Sequence, residues 1–486
     1  MSAEPYRLRH LGRTPTAILS DLHVSDHEAE DPSRPLWRRF KQREVFDEPR
    51  IVRLLSHLRE LGGGRPIELI LNGDVFDFDT VIAVPTDAPA FEVSWLESTR
   101  GLHPEEAKSA WKMRRILDHH PGLVEALRAW VAEGHELVFV IGNHDLELHW
   151  PAVQEALRAR VAPEHPERLV VCELFRLSGG DTLVTHGNQF DAYCVCQDPV
   201  EPWVRNAGRT RVRMPFGNLC TRYIANGMGL INPHADSAFI RPIGEYIRFF
   251  VRDVMRTQPL LAWTWAWTAP LALAASLVDG WGPTLRDPAA LEAREEAVAQ
   301  RAGASARMVR ALRAVAVHPA VFEPWRLARE LWVDRAALAA LVVLVTFQLF
   351  AAFHFVTGAG AAWALPIFGL LLGPFLAYAR SCRSEVGSVE VNIREHVPLL
   401  ARIAGVTRVV MGHTHRPRHE RVGSVEYLNT GHWSPAFEDV ACTRRMGRDT
   451  FAWVDASGAA SLRAWDGHES FPLTAENDAA AHVGAA

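Results

Sequence analysis

The chain has 486 residues, of which 48% are hydrophobic and 22% charged, a balance that indicates a folded protein with room for about two to three domains. Its net charge of −5 and isoelectric point near 6.5 give no basic excess of the kind that nucleic-acid-binding domains carry, so no nucleic-acid partner is expected. The six cysteines show neither a paired CxxC pattern nor a disulfide framework, which favours a reducing compartment.

The beginning of the chain is polar. It carries the charged side chains of Glu4, Arg7 and Arg9, and it contains no apolar run of roughly 7 to 15 residues, which a secretory signal requires. We therefore expect the chain to begin in the cytoplasm.

The amino-terminal part of the chain alternates between strand-like and helix-like segments. Residues 16–20, 66–71 and 136–141 are apolar β-rich runs that end in polar or glycine residues, whereas residues 51–61 have helical spacing. This alternation predicts an α/β fold. Residues at the carboxyl ends of such strands face the crevice in which α/β folds bind their ligands.

Strand-like sequence returns only after a long interruption. Residues 406–411, 424–428 and 450–454 are again β-rich, and the region before them is largely helical in pattern, with Asp287-Pro288 as a suitable N-cap and first-turn pair. The predicted organisation is a first part at 1–191, a helical insertion at 192–397, a second part of the same domain at 398–470 and a flexible tail at 471–486.

Two apolar tracts within the insertion indicate contact with a membrane. Residues 260–278 include three tryptophans and a central Pro270, and residues 336–379 are uncharged throughout and long enough for two helices joined near 354–362. Because polar motifs before and after the insertion must meet at one site, the chain must cross a membrane an even number of times. We expect a membrane hairpin at 336–379 and an interfacial helix at 260–278, with a buried helical subdomain as the alternative.

The sequence around this hairpin also predicts its orientation. By the positive-inside rule, basic residues on both flanks place both ends of the hairpin on the cytoplasmic side. The expected location is the cytoplasmic face of the inner (plasma) membrane. The flanking residues are Arg326, Arg329, Arg335, Arg380 and Arg383.

Five short polar motifs each follow directly after a predicted strand. They combine carboxylate, imidazole and amide oxygen donors, which suit first-row divalent ions with open positions for water and phosphate. In a DxH or HxH pair, residues two apart project to the same side and can face one ion. The motifs are Asp21-Leu22-His23, Gly73-Asp74, Gly142-Asn143-His144-Asp145, His186-Gly187 and Gly412-His413-Thr414-His415.

In this order, and with the second motif extended to Asp77, the motifs closely resemble the signature of the calcineurin-like metallophosphoesterase superfamily. The resemblance covers roughly residues 16–191 and 406–433. It implies an α/β fold of the α+β type, a two-sheet αββα sandwich that the helical, membrane-associated insertion interrupts. It also implies two divalent metal ions, with Mn expected and Fe, Zn or Co as alternatives. One ion would be held by Asp21, His23, Asp74 and His415, and the other by Asp74, Asn143, His186 and His413.

The same resemblance implies roles for the remaining motif residues. A hydroxide shared by the two ions would attack phosphorus in line, and His144 would protonate the leaving oxygen. Asp77 would orient the ring of His144, with a loop cap as the alternative role. Asp145 is expected to support its own loop, and the CxC pair at 194–196 is expected to be two free thiols.

Within the superfamily, the motifs around His186 and His415 are most similar to the UDP-2,3-diacylglucosamine pyrophosphatase branch, which cleaves a lipid-linked pyrophosphate at a membrane surface. The chain departs from that branch by His144 in place of arginine and by the size of its insertion. The expected function is membrane-associated hydrolysis of a phosphodiester or pyrophosphate bond, with a lipid-linked nucleotide as the candidate substrate. A membrane-anchored enzyme for a soluble phosphoester and a non-catalytic membrane scaffold remain as alternatives. The sequence predicts neither the substrate-binding residues nor the oligomeric state.

Overall fold

The computed structural model describes residues 13–46, 48–87, 90–206, 208–230, 232–234, 248–255, 261–285 and 287–473. These residues form a mixed α/β protein that is about half helical and contains two mixed sheets. The predicted α/β class is therefore confirmed. The polar chain start and all but the first three residues of the predicted tail at 471–486 lie outside the described residues.

Fourteen strands are present in the described residues, and most are short. They are β1 (Thr16–Leu19), β2 (Glu68–Asn72), β3 (Glu136–Val140), β4 (Leu169–Cys172), β5 (Arg176–Ser178), β6 (Thr182–Val184), β7 (Trp203–Asn206), β8 (Arg209–Val212), β9 (Arg408–Met411), β10 (Arg418–Val422), β11 (Val425–Asn429), β12 (Thr450–Val454), β13 (Ala460–Trp465) and β14 (Ser470–Pro472). β14 thus includes two residues that the sequence assigned to the tail.

The helices vary more in length than the strands. They are α1 (Glu48–Gly62), α2 (Trp95–Arg100), α3 (Glu106–His119), α4 (Pro121–Ala132), α5 (Pro151–Val161), α6 (216–228), α7 (Leu261–Trp281), α8 (Pro288–Ala302), α9 (Ala306–Ala314), α10 (Pro324–Glu330), α11 (Val333–Thr357), α12 (Ala364–Ser381) and α13 (Val389–Ala404). The middle of α6, Thr221–Ala225, is π-helical.

The larger sheet has seven strands in the order β14-β13-β12-β1-β2-β3-β4, in which β1 to β4 run parallel and the other three are antiparallel to their neighbours. The smaller sheet has the order β10-β11-β9-β6-β5, with β6, β9 and β11 parallel. β6 and β9 are neighbours although more than two hundred residues separate them in the chain. The parts before and after the insertion therefore build one sheet together.

Apolar side chains on both faces of both sheets hold the layers together. Ile18, Ile70 and Val138 of the larger sheet pack between the sheets against Val410 and Leu428 of the smaller one. Because side chains alternate along a strand, their chain neighbours face outward, where α1, α3, α4 and α5 cover the larger sheet. Helices α8, α9 and α13 cover the outer face of the smaller sheet. The order of layers is helix, sheet, sheet, helix.

Local sequence explains where these elements begin and what they bury. In α1, Ile51, Leu54, Leu55 and Leu58 are buried at spacings of three and four residues, which gives one apolar face toward the larger sheet. The predicted helix start at Asp287 is confirmed, because its side chain accepts hydrogen bonds from the amides of the second and third residues of α8, at 3.1 and 3.3 Å.

The insertion contains the predicted apolar hairpin. Among the described residues, two segments are long and apolar enough to cross a membrane, Val333–Thr357 and Ala361–Ser381. Only 6% and 0% of their most apolar stretches are buried. Gly358, in the left-handed conformation, ends α11 and allows α12 to return along it. Phe355 is 90% exposed and Leu370 is 77% exposed, so the rest of the protein leaves most of both helices uncovered.

The tryptophan-rich tract forms α7, which packs differently from the hairpin. Thr268, Ala269 and Ala272 are fully buried against α6 and α10, whereas Trp263 and Trp281 remain 72% and 58% exposed. This helix is not one of the two segments that are long and apolar enough to cross a membrane. Its expected position in the membrane interface stays a prediction. The domain boundaries also stay predictions, and the one at residue 397 lies inside α13.

Replacing residues 333–381 with a short glycine-serine linker is expected to give a protein that stays in solution without detergent. Hydrogen bonds from Ser384 and from the amide of Glu385 to Glu330, both 2.9 Å, already hold the two ends of the hairpin together. The thermal midpoint should therefore stay within about 3 °C, which corresponds to roughly 3 kcal/mol in a chain of this size. The same replacement at 288–314 is the control, and it should prevent folding because α8 and α9 supply core residues.

Candidate metal centre

All five motifs lie at strand ends, as predicted. Asp21, Asp74 and Asn143 follow the parallel strands β1, β2 and β3, and His186 and His413 follow β6 and β9. Since neighbouring parallel strands end at the same edge of a sheet, this topology brings the three oxygen ligands and the two imidazoles to one place. The two sheets meet there, with Asp74 Oδ2 3.1 Å from His186 Nε2.

One group of donor atoms comes from the first and last motifs. His415 Nε2 lies 3.3 Å from Asp21 Oδ1 and 3.3 Å from His23 Nε2. Ligand atoms of the three residues lie within 4.8 Å of one another, close enough to hold one ion. Asp74 Oδ2 lies 4.0 Å from His23 Nε2, so the structure brings together all four residues predicted for the first ion.

A second group shares Asp74 with the first. Asp74, His186 and His413 also have ligand atoms within 4.8 Å of one another. Asn143 follows β3, and its Oδ1 is buried without a hydrogen-bond partner, as is His186 Nε2. A buried polar atom without a partner is costly, and a cation would satisfy both atoms. Asp74 therefore lies between the two groups, as a bridging ligand would.

Three of the imidazoles are oriented by contacts to the ring nitrogen that faces away from the other predicted ligands. His186 Nδ1 donates to the Asn72 carbonyl at 2.9 Å, and His415 Nδ1 donates to the His234 carbonyl at 3.2 Å. His413 Nε2 lies 3.1 Å from the Asp191 carboxylate. Each partner accepts only, so in the neutral ring the other nitrogen carries no hydrogen and is available to a cation. This arrangement is typical of metal-binding histidines.

The buried carboxylates of the site also favour the binding of cations. Burial raises the pKa of both carboxyl groups, but neighbouring imidazoles outweigh it and keep the pKa of Asp21 below, and that of Asp74 well below, the usual range. Burial lowers the pKa of His186, but Asp74 and Asp21 outweigh it and raise the pKa to about 9. Among the described residues, neither carboxylate forms an ion pair with lysine or arginine.

The backbone at the site is strained. Five of the eight described non-glycine residues with positive φ are predicted ligands: Asp21 (56°), His23 (49°), Asp74 (52°), His413 (67°) and His415 (58°). A side chain in the left-handed region costs about 1–3 kcal/mol unless the surroundings enforce it, and such residues concentrate at functional sites. The strain supports a function for these positions beyond stability of the fold.

Two glycines allow the motifs to approach each other. A Cβ on Gly73, which has φ of 79°, would overlap the His186 ring, and a Cβ on Gly142 would overlap the Asp74 carboxylate. Any larger residue would push these ligands apart.

The two predicted catalytic residues lie beside the metal ligands. His144 Nδ1 is 3.5 Å from Asp77 Oδ1, and 14% of the His144 side chain is exposed. Asp77 Oδ1 also accepts the amides of Asp79 and Thr80, at 3.1 Å each. Asp77 therefore caps its loop as well as facing His144, so the two roles considered for this residue are compatible.

Asp145 and the CxC cysteines lie as predicted. The Asp145 carboxylate accepts the amides of Gly142 and Val75, at 2.6 and 2.9 Å, and so supports its own loop. Cys194 and Cys196 are free thiols. Cys194 nevertheless lies within 4.8 Å of ligand atoms of Asp191 and His413, which places it near the metal centre.

Several residues at the site were missed from the sequence. Asp79 Oδ2 lies 3.2 Å from His144 Nδ1, closer than Asp77. His234, in the insertion, places Nε2 3.6 Å from Asp77 Oδ2. The run Asp77-Phe78-Asp79 offered a local signal for Asp79, and Asp191 ends a motif that the sequence had already singled out. His234 offered no local signal.

Replacing Asp191 with asparagine is expected to weaken the binding of one ion. The new amide would face His413 Nε2 with a donor, which favours the tautomer that carries hydrogen on the nitrogen facing the metal centre. Loss of such an outer partner typically lowers metal affinity about 10- to 100-fold. Calorimetric titration of metal-free protein with Mn would measure the change. The other ion should bind as in the wild type, and equal weakening of both ions would contradict the assignment.

The described residues thus bring together six predicted metal ligands, with the seventh, Asn143, at the end of the neighbouring strand β3. They also place a histidine beside two carboxylates and supply outer partners for three imidazoles. This donor set fits first-row divalent cations. A scan of protein-family models found no match for the chain, and a search of curated protein sequences also found none.

Proposed function

We propose that this chain is a membrane-associated, dinuclear metal-dependent phosphoesterase with the two-sheet metallophosphoesterase fold. It hydrolyses a phosphodiester or pyrophosphate bond, with a lipid-linked nucleotide as the preferred class of substrate. The main support is the convergence of two donor groups on Asp74 from five motifs spread over nearly four hundred residues. A scaffold without turnover has no need of such a strained arrangement.

The donor set supports a proposal of two ions. Asp21, His23, Asp74 and His415 would hold one, and Asp74, Asn143, His186 and His413 would hold the other. Two divalent ions there supply Lewis acidity toward phosphoryl oxygens and lower the pKa of water. The protein provides the orientation, through the Asn72 and His234 carbonyls and the Asp191 carboxylate.

His144 is the proposed proton donor to the leaving oxygen. Burial lowers the pKa of its imidazole, but Asp77 and Asp74 outweigh this effect and hold the pKa well above the usual range. This direction favours the protonated ring that a proton donor requires. The ring lies on the open side of the site together with His415, of whose side chain 24% is exposed, so a substrate that enters there meets His144 next to the metal ligands.

The apolar hairpin supports a substrate in a membrane. The first hairpin helix follows α10 and the second precedes α13, so both ends of the hairpin connect to the catalytic domain. Under the positive-inside rule, the flanking arginines favour the cytoplasmic face of the inner membrane. Arg326 and Arg329 form ion pairs with Glu385. They still count, because the rule counts basic residues and not net charge. An enzyme held there reaches a lipid headgroup without extracting the acyl chains.

The decisive experiment combines metal analysis with turnover. Full-length protein in detergent is stripped of metal, loaded with Mn, and assayed on bis-p-nitrophenyl phosphate, p-nitrophenyl phosphate and UDP-diacylglucosamine. Two ions per chain and turnover that a chelator removes would support the proposal, and preference for the lipid nucleotide would support the substrate class. Equal or better turnover of the soluble esters favours the anchored enzyme. Two bound ions without turnover on any ester favour the scaffold.

A further inference from the structure

Helix α6 belongs to the insertion, yet it reaches the catalytic site. Asn218 is fully buried, and its Nδ2 donates to Asp79 Oδ2 at 2.5 Å and to the Asn143 carbonyl at 2.7 Å. Both partners accept only, which fixes the orientation of the amide. Two turns later, Asn226 Nδ2 donates to the Asp79 carbonyl at 2.8 Å. The insertion therefore holds Asp79 by its side chain and by its backbone.

Asp79 connects this helix to His144. The oxygen that Asn218 holds, Oδ2, is the one that lies 3.2 Å from His144 Nδ1. Asp77 Oδ1 already accepts two backbone amides and lies 3.5 Å from the same nitrogen. Asp79 is therefore the nearer of the two carboxylates, and its Oδ2 lies close to both the amide and the imidazole.

We propose that Asp79 and Asn218 are positioning residues for His144, so that a helix of the insertion completes the catalytic site. Asn218 fixes the Asp79 carboxylate, and Asp79 holds Nδ1 of His144 so that Nε2 faces the leaving oxygen. This inference rests on the proposed function, because it assigns a device for proton donation. It also gives the insertion a second role besides membrane attachment, since α6 packs against α7 on its other side.

A matched pair of substrates separates positioning from general support. Methyl p-nitrophenyl phosphate releases an anion that needs little protonation, whereas methyl phenyl phosphate releases a more basic one. In Asp79→Asn and Asn218→Ala, kcat/KM for the phenyl ester should fall about 10- to 100-fold, a large part of the usual effect of a general acid. For the p-nitrophenyl ester it should change less than about threefold, and metal content should remain at two ions per chain.

Equal losses on both esters, with or without loss of metal, would make Asn218 a structural support and overturn the inference. Unchanged rates on both esters would overturn it as well. The control is Asn392→Ala, which removes an amide that donates to the Phe190 carbonyl at 3.5 Å, outside the site, and which should leave both rates unchanged.

A second measurement is independent of turnover. Crystal structures of the wild type and of Asn218→Ala should differ in the His144 ring, which is expected to leave hydrogen-bond distance of Asp79 in the variant. If the wild type hydrolyses no ester, the proposed function fails, but a displaced ring would still support the positioning role. A ring that stays in place would overturn that role in either case.

Discussion

Replacement of Asp74 with asparagine is expected to reduce metal content from two ions to fewer than one per chain and to lower kcat/KM at least about 1,000-fold, which corresponds to about 4 kcal/mol. Asp74 is 2% exposed, and its Oδ2 lies 3.1 Å from His186 Nε2 and 4.0 Å from His23 Nε2, between the two donor groups. The amide keeps the size of the side chain but removes the bridging charge. Elemental analysis and turnover of the same preparation measure both effects.

The matched control for this substitution is Asp198→Asn. Asp198 is also a buried carboxylate, but it accepts the amides of Val200 and Glu201 and pairs with Arg313 at 2.5 Å. It should keep both ions and near wild-type turnover even if the protein becomes less stable. Two tightly bound ions in Asp74→Asn would refute the bridging role.

His144→Gln is expected to lower kcat/KM about 100- to 10,000-fold, the range typical of a lost general acid, with both ions retained. Burial lowers the pKa of His144, but Asp77 and Asp74 hold it well above the usual range. The two carboxylates therefore favour the acid form of the ring, which is lost as the pH rises through its pKa. The wild-type rate should decline on the alkaline side, and the variant should lack this decline.

The control for His144 is His396→Gln, because His396 stacks on Phe190 and its Nδ1 contacts the Asn392 carbonyl at 2.7 Å, outside the site. It should leave the pH profile unchanged. If His144→Gln lost its ions together with its activity, His144 would be a support of the metal centre and not the proton donor.

The strands that carry the motifs could be predicted because their signal is local. The β-rich runs at 16–20 and 136–141 end in polar residues, and β1 and β3 occupy nearly the same positions. The run at 450–454 coincides with β12. In each case a short apolar segment between turn-forming residues has few alternatives to a buried strand.

The contacts around His144 could not be predicted in the same way. Asp79 and Asn218 are 139 residues apart, and no periodicity or spacing relates a loop after β2 to a helix of the insertion. The hairpin of β7 and β8 was also missed, because the insertion was predicted to be largely helical. Tertiary packing alone brings these residues to their partners.

The insertion is also less separate than its sequence indicated. Val298, Ala299 and Val309 of α8 and α9 pack with Val409 of β9 in one apolar core. Their alanine-rich, charged sequence predicted helices, but it gave no sign that these helices cover the smaller sheet. Helical spacing shows which face of a helix is apolar but not which surface that face will meet.

The position of β9 between β6 and β11 in the smaller sheet has a consequence for biosynthesis. The ribosome completes α11 and α12 before it makes β9 and the motif with His413 and His415. At roughly 5–20 residues per second, the hairpin emerges from the ribosome a few seconds before the last ligands do. If it inserts as proposed, the nascent chain is delivered to the membrane first and acquires its metal centre there, so an incomplete chain carries no competent site into the cytosol.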